Sequence, residues 1–432
     1  MAAIKIAYIG AGGTRGAGCL ASFSQHGAEF AGSEIVLTDP DAERLELTGR
    51  LGRLFVDQAG VDITIRTVSD RRQALDGADA VLTSFRPGGF EARIIDEKIP
   101  LKYGVIGQET QGPGGFFMAL RSIHAFQAIL ADIEALCPDA WLVNYTNPVN
   151  IVAEAIVRHT PVKVISLCEG SYNAPRNLLE AAGLESDLLD HVMIGLNHQT
   201  WSIRHEYDGE DLMPLLEASY DSVMADVSVS HTTKRLFKLA CRMKRIPMGY
   251  WQYYYYTEEI LAKMKSEPMV RAEVILGELP TYLAHYREQA DSARPRLDPA
   301  RSRGGVLELE LAVEVISAIA NDSGRIYYCN VPNRGAVSNF RNDLVVEVPC
   351  HVDRHGAVPI TQGSMPREVS GLMEMLAEYQ TLAADVGWNG TRADALRALA
   401  ANPLVGSFEK AEPMYDEMAV ALSSLLPQRL LS

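Results

Sequence analysis

The sequence lacks the features that mark membrane, secreted and nucleic-acid-binding proteins. No uninterrupted apolar run reaches the roughly eighteen residues of a membrane-spanning helix, and no segment is rich in basic residues. Acidic residues outnumber basic ones by 55 to 40, and the net charge of −15 argues against a surface for nucleic acid. The six cysteines show no paired spacing, which predicts no disulfide framework and a reducing, cytoplasmic location.

The composition is that of an ordinary globular protein, with 47% hydrophobic and 22% charged residues. A length of 432 residues predicts at least two domains. From Ile4 onward, β-rich runs alternate with helical spacing, which is typical of a doubly wound, Rossmann-type parallel sheet in the α/β class. Beyond Trp201, long helices with a few strand-like runs predict a mainly helical α+β lobe. The predicted domains are therefore residues 1–200 and 201–432.

A glycine turn follows the first predicted strand. Its sequence, Gly10-Ala-Gly-Gly-Thr-Arg-Gly16, leads into a helix and suits close approach of a dinucleotide pyrophosphate, although the last glycine arrives one place late. A second strand ends in Asp39, roughly twenty residues after the turn, where an acid usually holds the ribose diol and favours NAD over NADP. Asp39 is alternatively the N-cap of the next helix, a place that Asp41 also fits. The candidate cofactor residues in this region are Gly10, Gly12, Gly13, Thr14 and Asp39.

Two arginines, Arg86 and Arg93, follow the fourth predicted strand, at the sheet edge where such folds bind ligands. They are candidates for contacts with the cofactor (Arg86) and with an anionic substrate (Arg93). An equally simple interpretation pairs them at the surface with the nearby acids Glu91, Asp96 or Glu97. The loop from Gly104 to Gly115, which contains Glu109, combines flexible glycines with polar side chains and suits a ligand-binding segment.

Two further predicted strands end in groups suited to metal binding and acid/base chemistry. One leads into Cys168-Glu169, and another into Asn197-His198. Cysteine and histidine are a plausible ligand pair for a metal, and a neighbouring glutamate binds an ion or carries a proton. The alternative is a buried cysteine and a core histidine without function. Asn147, held extended by the proline after it, either directs its amide to the sheet edge or caps a helix.

Tyrosine is concentrated in one short segment of the second lobe. Five of the seven residues from Tyr250 to Tyr256 are tyrosines. Most tyrosines at helical spacing belong to the core and keep a solvated hydroxyl. A hydroxyl close to a metal, however, would ionise more readily, so this segment is also a candidate source of a base.

Together these motifs resemble glycoside hydrolase family 4, the NAD- and divalent-metal-dependent 6-phospho-glycosidases and their relatives. The resemblance runs along nearly the whole chain and is carried by the glycine turn, Arg86-Pro-Gly-Gly-Phe-Glu-Ala-Arg93, Pro100-Leu-Lys-Tyr-Gly-Val-Ile-Gly-Gln-Glu-Thr110, Thr146-Asn-Pro148, Cys168, Gly195-Leu-Asn-His198, Tyr250 with Tyr253 and Tyr254, and Asn330-Val-Pro-Asn333. It implies a fold like that of lactate and malate dehydrogenases, and a homodimer or homotetramer.

The resemblance also implies roles for individual residues. Cys168 and His198 would hold a metal, usually Mn²⁺, together with two sugar hydroxyls. Tyr250 would be the base, and Glu109 or Glu169 would protonate the leaving group or activate water. The remaining implied substrate contacts are Asn147, Arg93, Asn197 and Arg303.

The implied reaction explains how a dinucleotide fold can host hydrolysis without the usual carboxylate pair. A proton on an ordinary sugar carbon is not acidic enough for a side chain to remove. Oxidation at C3 by NAD⁺ gives a ketone that the metal polarises, so that the C2 proton becomes removable and the C1 substituent leaves. Water then adds at C1, and the hydride returns to the sugar.

The chain departs from the usual family pattern at several positions. Thr14-Arg15 follows the glycines, Glu169 follows the metal cysteine, and Val306-Leu-Glu-Leu follows Arg303-Gly-Gly305, where polar residues are expected. The anion on the sugar therefore stays open between a phosphate, a sulfonate as in sulfoquinovosides, and a uronic acid. The arginines available to bind it are Arg15, Arg86, Arg93 and Arg303.

Two functions of other classes compete with the glycosidase. A simple NAD-dependent 2-hydroxy acid dehydrogenase shares the sheet, but the tyrosine cluster and Cys168-Glu169 disfavour it. An NAD-sensing binding protein would not need so many convergent polar groups.

Overall fold

The structure, a computed structural model, describes residues 3–303, 306–307 and 309–432. Within these residues a single sheet of 12 strands runs through the molecule. The strands are β1 (Lys5–Ile9), β2 (Ser33–Thr38), β3 (Ile63–Thr67), β4 (Ala80–Thr83), β5 (Trp141–Asn144), β6 (Val164–Ser166), β7 (Leu189–Leu196), β8 (Gln199–Tyr207), β9 (Glu210–Asp211), β10 (Arg325–Pro332), β11 (Val345–Asp353) and β12 (Gly356–Pro359).

Helices cover both faces of the first half of the sheet and form most of the second lobe. They are α1 (Gly16–Gln25), α2 (Ala42–Ala59), α3 (Arg71–Leu75), α4 (Gly89–Lys102), α5 (Gly112–Leu136), α6 (Val149–His159), α7 (Gly170–Ala182), α8 (Met213–Ala218), α9 (Tyr220–Ala225), α10 (His231–Met243), α11 (Gln252–Tyr255), α12 (Thr257–Ser266), α13 (Arg271–Ala290), α14 (Glu310–Asn321), α15 (Arg367–Asn389), α16 (Arg392–Ala401) and α17 (Phe408–Ala421).

The first six strands form the predicted doubly wound parallel sheet. Their spatial order is β3-β2-β1-β4-β5-β6, and every neighbouring pair among them is parallel. The chain reverses its winding direction between β1 and β4, which is where such sheets bind ligands. Residues in these strands, such as Ile6 and Tyr8, are fully buried because helices cover both faces. The predicted α/β fold is therefore confirmed for this part of the chain.

The second half of the sheet is antiparallel. It continues from β6 in the order β10-β11-β7-β8-β9, with β12 alongside β11. Only Asn330 and Ser166 pair across the junction between β10 and β6. The predicted boundary at residue 200 lies inside β8, whose hairpin partner β7 precedes that residue.

The long helix α5 lies at the centre of the first half. Among the described residues it is the one helix long and apolar enough to span a membrane, but most of it is buried inside the protein, packed on α4 and α15. Its Arg121 forms a fully buried ion pair with Asp96 of α4, at 2.6 Å. Arg121 also donates to the Pro87 carbonyl at 3.4 Å. The helix therefore supports the segment that carries Arg86.

Candidate active site

Most of the predicted site residues follow the carboxyl ends of neighbouring parallel strands. Because these ends share one edge of the sheet, residues far apart in sequence meet there. Strand by strand from β2 to β6, the residues that follow are Asp39 after β2, Gly10 after β1, Arg86 after β4, Asn147 after β5 and Cys168 after β6.

A cavity of about 1050 Å³ opens at this edge. The predicted residues in its wall are Gly10, Gly12, Gly13, Thr14, Asp39, Arg86, Glu109, Asn147 and Arg303. The other predicted residues are not part of that wall; these are Arg93, Cys168, Glu169, Asn197, His198 and Tyr250. The structure thus unites the candidate cofactor residues in one cavity and places the candidate metal ligands outside its wall.

The glycine turn fits tightly against the strands on either side. Gly10 has a positive φ of 91°, and a Cβ atom there would lie 2.5 Å from the Ser84 carbonyl oxygen. A Cβ on Gly12 would lie 2.8 Å from Cγ of Asp39. Only glycine allows the backbone to pass this close, and the absence of side chains there lets a pyrophosphate approach the turn.

Asp39 is held by main-chain donors and is not the helix cap. Its Oδ2 accepts from the Gly12 N–H at 3.0 Å and its Oδ1 from the Asp41 N–H at 2.9 Å. The N-cap of α2 is Asp41, which accepts from the Arg44 N–H at 3.0 Å. Burial raises the pKa of Asp39, and the two main-chain hydrogen bonds oppose that effect. The carboxylate is therefore fixed beside the glycine turn, at the cavity wall.

Glu109 lies between arginines. Its Oε2 is 2.6 Å from Nη2 of Arg86 and 2.9 Å from Nη1 of Arg93. Burial alone would raise its pKa, but Arg86, Arg93 and Arg303 lower it to about 2. A carboxylate with this pKa is ionised near neutral pH and is a poor proton donor. This environment disfavours leaving-group protonation by Glu109, and its predicted role in leaving-group protonation or water activation stays a prediction.

Both arginines that follow β4, Arg86 and Arg93, thus pair with Glu109. Arg93 also bonds Glu97 at 2.6 Å, one of the acids predicted as a surface partner, yet the pair is buried. Only 5% of the Arg93 surface is exposed, so few of its atoms are accessible for the predicted contact with a substrate.

Arg303 differs from Arg86 and Arg93 in its surroundings. Its guanidinium donates to Oγ1 of Thr14 at 3.2 Å and lies 4.8 Å above the ring of Phe90. It forms no ion pair with any carboxylate of the described residues. Burial, with Arg15 and Arg86 nearby, lowers its pKa to about 10. A cation in the cavity wall that forms no ion pair with the described residues suits an anionic ligand. Residues 304, 305 and 308, part of the divergent segment that follows, lie outside the described residues.

Asn147 presents an unsatisfied acceptor to the cavity. The Asn147–Pro148 peptide bond is cis, and the Asn147 carbonyl accepts from the Ser122 hydroxyl at 2.9 Å. The side-chain Oδ1 is buried and has no hydrogen-bond partner among the described residues. Because a buried acceptor without a partner is costly, this atom suits a donor supplied by a ligand, such as a sugar hydroxyl.

Cys168 lies two residues beyond β6, just before α7. Its Sγ accepts from the Gly170 N–H at 3.4 Å. Burial, and then the nearby Glu347, raise the pKa of the thiol to about 12. The neighbouring Glu169 accepts from the Tyr145 hydroxyl at 3.5 Å, and burial raises its pKa, against the effect of Arg15. Glu169 therefore has the environment of a proton donor, which Glu109 lacks.

His198 occupies the turn between β7 and β8 with a positive φ of 69°. Such a backbone conformation is uncommon for a residue with a side chain, and the residues that adopt it are concentrated at functional sites. Its Nδ1 is 3.0 Å from Oγ1 of Thr110, and burial lowers its pKa to about 4. The imidazole is thus neutral near neutral pH, the form in which histidine binds a metal.

Tyr250 lies flat against the ring of His198. The ring centroids are 3.9 Å apart and the planes differ by 1°. The contact arises because Met248 donates its N–H to the Thr200 carbonyl at 3.0 Å, which joins the tyrosine segment to the start of β8. Burial raises the pKa of Tyr250 well above its usual value and that of Tyr253 to about 12. Tyr253 is 6.0 Å away, centroid to centroid.

Asn197 lies buried next to Glu347 and Cys168. It is 1% exposed, and its amide donates to Oε2 of Glu347 at 2.6 Å. Its side chain also lowers the pKa of Cys168 by hydrogen bonding to the sulfur. The side-chain Oδ1 is buried and has no hydrogen-bond partner among the described residues, so a substrate contact through this atom stays a prediction.

Glu347 is a site residue that the sequence did not identify. This buried carboxylate also bonds the Ser171 hydroxyl, and it lies beside Cys168 because Glu347 of β11 pairs with Gly195 of β7. The antiparallel register that brings it there has no signal in the sequence.

Cys168 and His198 are suited to a metal for which the protein supplies only some of the ligands. No group of three His, Cys, Asp or Glu side chains suited to a metal occurs within residues 3–303, 306–307 and 309–432. Two protein ligands of the borderline and soft type remain, one of them a neutral imidazole. A divalent cation held here would complete its coordination with oxygen atoms of a ligand or water.

Profiles of a known family match almost the whole chain. The profile described as "Family 4 glycosyl hydrolase" matches residues 5–184, and that of its C-terminal domain matches residues 193–405. The chain belongs to glycosyl hydrolase family 4. This family 4 enzyme is 36% identical over 436 residues to the "Probable 6-phospho-beta-glucosidase" of Bacillus subtilis (strain 168), with 98% of each chain covered. The predicted family and the predicted glycosidase class are confirmed.

Solved structures are similar to this family 4 enzyme to different degrees. A 6-phospho-alpha-glucosidase from gut microorganisms, in complex with NAD and Mn²⁺, superimposes with a TM-score of 0.86 at 28% identity, covering 98% of this chain and 99% of the other. Malate dehydrogenase of Cryptosporidium parvum gives a TM-score of 0.53 at 14% identity, covering 89% and 98%. The second likeness concerns the fold alone, and it agrees with the predicted dehydrogenase-like architecture.

Proposed function

We propose that this enzyme hydrolyses a 6-phospho-glucoside with bound NAD and a divalent metal, Mn²⁺ in the first instance. The observation that carries the proposal is the composition of one cavity. Its wall combines the glycine turn and Asp39 with Asn147 and Arg303. Within the described part of the chain, Oδ1 of Asn147 has no hydrogen-bond partner and Arg303 forms no ion pair. The β anomer is the first candidate because the relative at 36% identity is named for it.

NAD suits the half of the cavity formed by β1 and β2. Gly10, Gly12, Gly13 and Thr14 would hold the pyrophosphate, and Asp39 would hold the ribose diol. Arg86 adds positive charge at the opposite side of the turn. Its position is fixed by the ion pair between its Nη2 and Oε2 of Glu109, at 2.6 Å. A 2′-phosphate would meet the negative charge of Asp39, which favours NAD over NADP.

The chemistry supplied by NAD and a divalent cation when bound is oxidation of a sugar hydroxyl and polarisation of the resulting ketone, which makes the adjacent carbon acidic. Tyr250, in its deprotonated form, would take the proton from that carbon, and its ring is held for this task by stacking on the His198 imidazole, with the centroids 3.9 Å apart. Cys168 and His198 would hold the cation, while Glu347 and Asn197 orient the sulfur.

We assign proton donation to the leaving group to Glu169. Burial raises its pKa, so that its protonated form is populated nearer to neutral pH than that of an exposed glutamate. Glu109, with a pKa lowered to about 2 by three arginines, instead orders Arg86 and Arg93. Arg303 would contact the anion on the sugar, and Asn147 a sugar hydroxyl.

The substrate class is tested with aryl glucosides that differ only at C6. Each is offered with NAD⁺ and Mn²⁺, and the substituents compared are phosphate, sulfonate, carboxylate and the unmodified hydroxyl, in both anomers. We expect the highest kcat/KM for the 6-phospho-β-glucoside. A higher value for the sulfonate or the uronide would change the anion assigned to Arg303, and equal rates with the neutral glucoside would contradict anion recognition. Steady NADH accumulation without aglycone release would instead support a simple dehydrogenase.

Replacement of Asp39 tests the cofactor assignment. We expect Asp39→Asn to weaken NAD⁺ binding by about 10- to 100-fold, because the ribose loses a charged acceptor worth about 1.5 to 3 kcal/mol. Titration of NAD⁺ by calorimetry measures the effect, with NADP⁺ in parallel. Asp57→Asn, at an exposed position near the end of α2, is the matched control. Unchanged NAD⁺ affinity in the Asp39 variant would place the ribose elsewhere.

We further propose a cytoplasmic enzyme that assembles as a homodimer or homotetramer. The scattered, unpaired cysteines support the location, and all six are free thiols in the structure. Sedimentation analysis measures the assembly directly, and a monomer at all concentrations would contradict it.

A further inference from the structure

The amide of Gln108 is fixed by its neighbours. Its side-chain atom Oε1 receives the backbone N–H of Thr110 at 2.6 Å and that of Gln111 at 2.7 Å. Backbone N–H groups are always donors, so the atom they share must be the carbonyl oxygen of the amide. Gln108 therefore presents an acceptor to its third neighbour, the Thr110 hydroxyl, at 3.0 Å.

The Thr110 hydroxyl has one hydrogen and two neighbours that compete for it. Its oxygen is 3.0 Å from Oε1 of Gln108 and 3.0 Å from Nδ1 of His198. Two oxygens at 3.0 Å need a hydrogen between them, and Gln108 has none to give at this atom. The Thr110 hydroxyl therefore donates to Gln108.

A third neighbour supports this direction. Nε2 of Gln111 donates to the Thr110 oxygen at 3.5 Å. The orientation of Gln111 is set in turn by its Oε1, which accepts from the Tyr254 hydroxyl at 2.8 Å and from the amide of Gln199. With its hydrogen directed at Gln108, the Thr110 oxygen can only accept from the imidazole.

We propose that Gln108 and Thr110 hold His198 in the tautomer with the hydrogen on Nδ1, which keeps the lone pair on Nε2 for a metal. This inference rests on the proposed metal role of His198, although the tautomer itself exists without metal. The opposite tautomer would place a hydrogen where the metal binds. Stacking on Tyr250, with the centroids 3.9 Å apart, fixes the plane of the His198 ring. The Thr110 contact fixes Nδ1 toward the hydroxyl and leaves Nε2 on the opposite side of the ring. Gln108 and Thr110 are thus positioning residues.

Nitrogen NMR of the metal-free enzyme tests the tautomer directly. Protein labelled with ¹⁵N in its histidine rings is compared as wild type, Thr110→Val and Thr110→Ser at mildly alkaline pH, and His198 is assigned from the spectrum of His198→Asn. We expect the wild type and the serine variant to show hydrogen on Nδ1 of His198. The valine variant, which keeps the shape but lacks the hydroxyl, is expected to shift toward hydrogen on Nε2.

Mn²⁺ affinity, measured by the paramagnetic resonance of free Mn²⁺, gives the second readout. We expect Thr110→Val to bind Mn²⁺ about 10- to 100-fold more weakly and Thr110→Ser to restore binding. A wild-type spectrum with hydrogen on Nε2 would overturn the inference even if the valine variant fails to fold, and so would an unchanged tautomer in that variant. If the predicted tautomer is found but the wild type does not bind Mn²⁺, the inference stands and the proposed metal-dependent function fails.

Discussion

We expect the Tyr250→Phe enzyme to lose about 10²- to 10⁴-fold in kcat, the range in which positioned acid and base groups act. This corresponds to about 3 to 5 kcal/mol of activation free energy. The change removes one oxygen and keeps the ring, so the stack on His198 at 3.9 Å is retained. The loss therefore belongs to proton transfer and not to packing.

Two matched variants make this result specific. Tyr255 belongs to the same segment and packs edge-on against Trp201 at 5.9 Å, so Tyr255→Phe should keep kcat within about twofold, as most substitutions away from the site do. Tyr253→Phe examines the alternative base, 6.0 Å from Tyr250. Steady-state rates are measured together with NAD⁺ and Mn²⁺ affinities, which should not change. Full activity in Tyr250→Phe with a large loss in Tyr253→Phe would transfer the base to Tyr253.

Replacement of Cys168 by serine should weaken Mn²⁺ binding by at least about 100-fold and abolish measurable turnover. A neutral hydroxyl is a far poorer ligand than a thiolate, and one of only two proposed protein ligands is lost. Equilibrium Mn²⁺ binding and initial rates measure the two effects. Cys241→Ser, at a half-buried position in α10, serves as the control and should behave as the wild type.

We expect Mn²⁺ to bind more tightly as the pH rises. Burial and Glu347 raise the pKa of the Cys168 thiol to about 12, so the metal-free protein holds the proton near neutral pH. His198, with a pKa lowered to about 4 by burial, is already neutral and releases none. Mn²⁺ binding should therefore release one proton, and the association constant should rise about tenfold per pH unit around pH 7 to 8. In Cys168→Ser this slope should disappear. Wild-type affinity in the serine variant would show that the cation binds elsewhere.

The parallel half of the fold and most of its cavity were predictable because their signals are local. A β-rich run, a glycine turn and an acid after the next strand together define the cofactor end. The carboxyl ends of parallel strands meet at one edge whatever the exact helix packing, which is why Gly10, Asn147 and Cys168 all follow strands at that same edge. The tyrosine segment, in contrast, was linked to the site by resemblance and not by geometry.

The remaining features depend on long-range register, which the sequence does not encode in a short pattern. Glu347 reaches Cys168 only because β11 pairs with β7 at Gly195. The acids near Arg86 in sequence suggested surface pairs, whereas the loop after α4 brings Glu109 to it instead. That contact changes the chemistry of Glu109, because a carboxylate among arginines stays ionised. The contact of Asn197 with Glu347 was not predicted for the same reason, because the two residues lie 150 positions apart in the sequence.

Cleavage of a substrate deuterated at C2 tests most directly whether this enzyme breaks a carbon–hydrogen bond to cleave a glycosidic one. Aglycone release from the 6-phospho-glucoside is followed with hydrogen or deuterium at C2, in the presence and absence of NAD⁺. We predict slower release from the deuterated substrate and no release without NAD⁺. Release that proceeds undiminished without NAD⁺, at the same rate for both isotopes, would contradict the proposed mechanism.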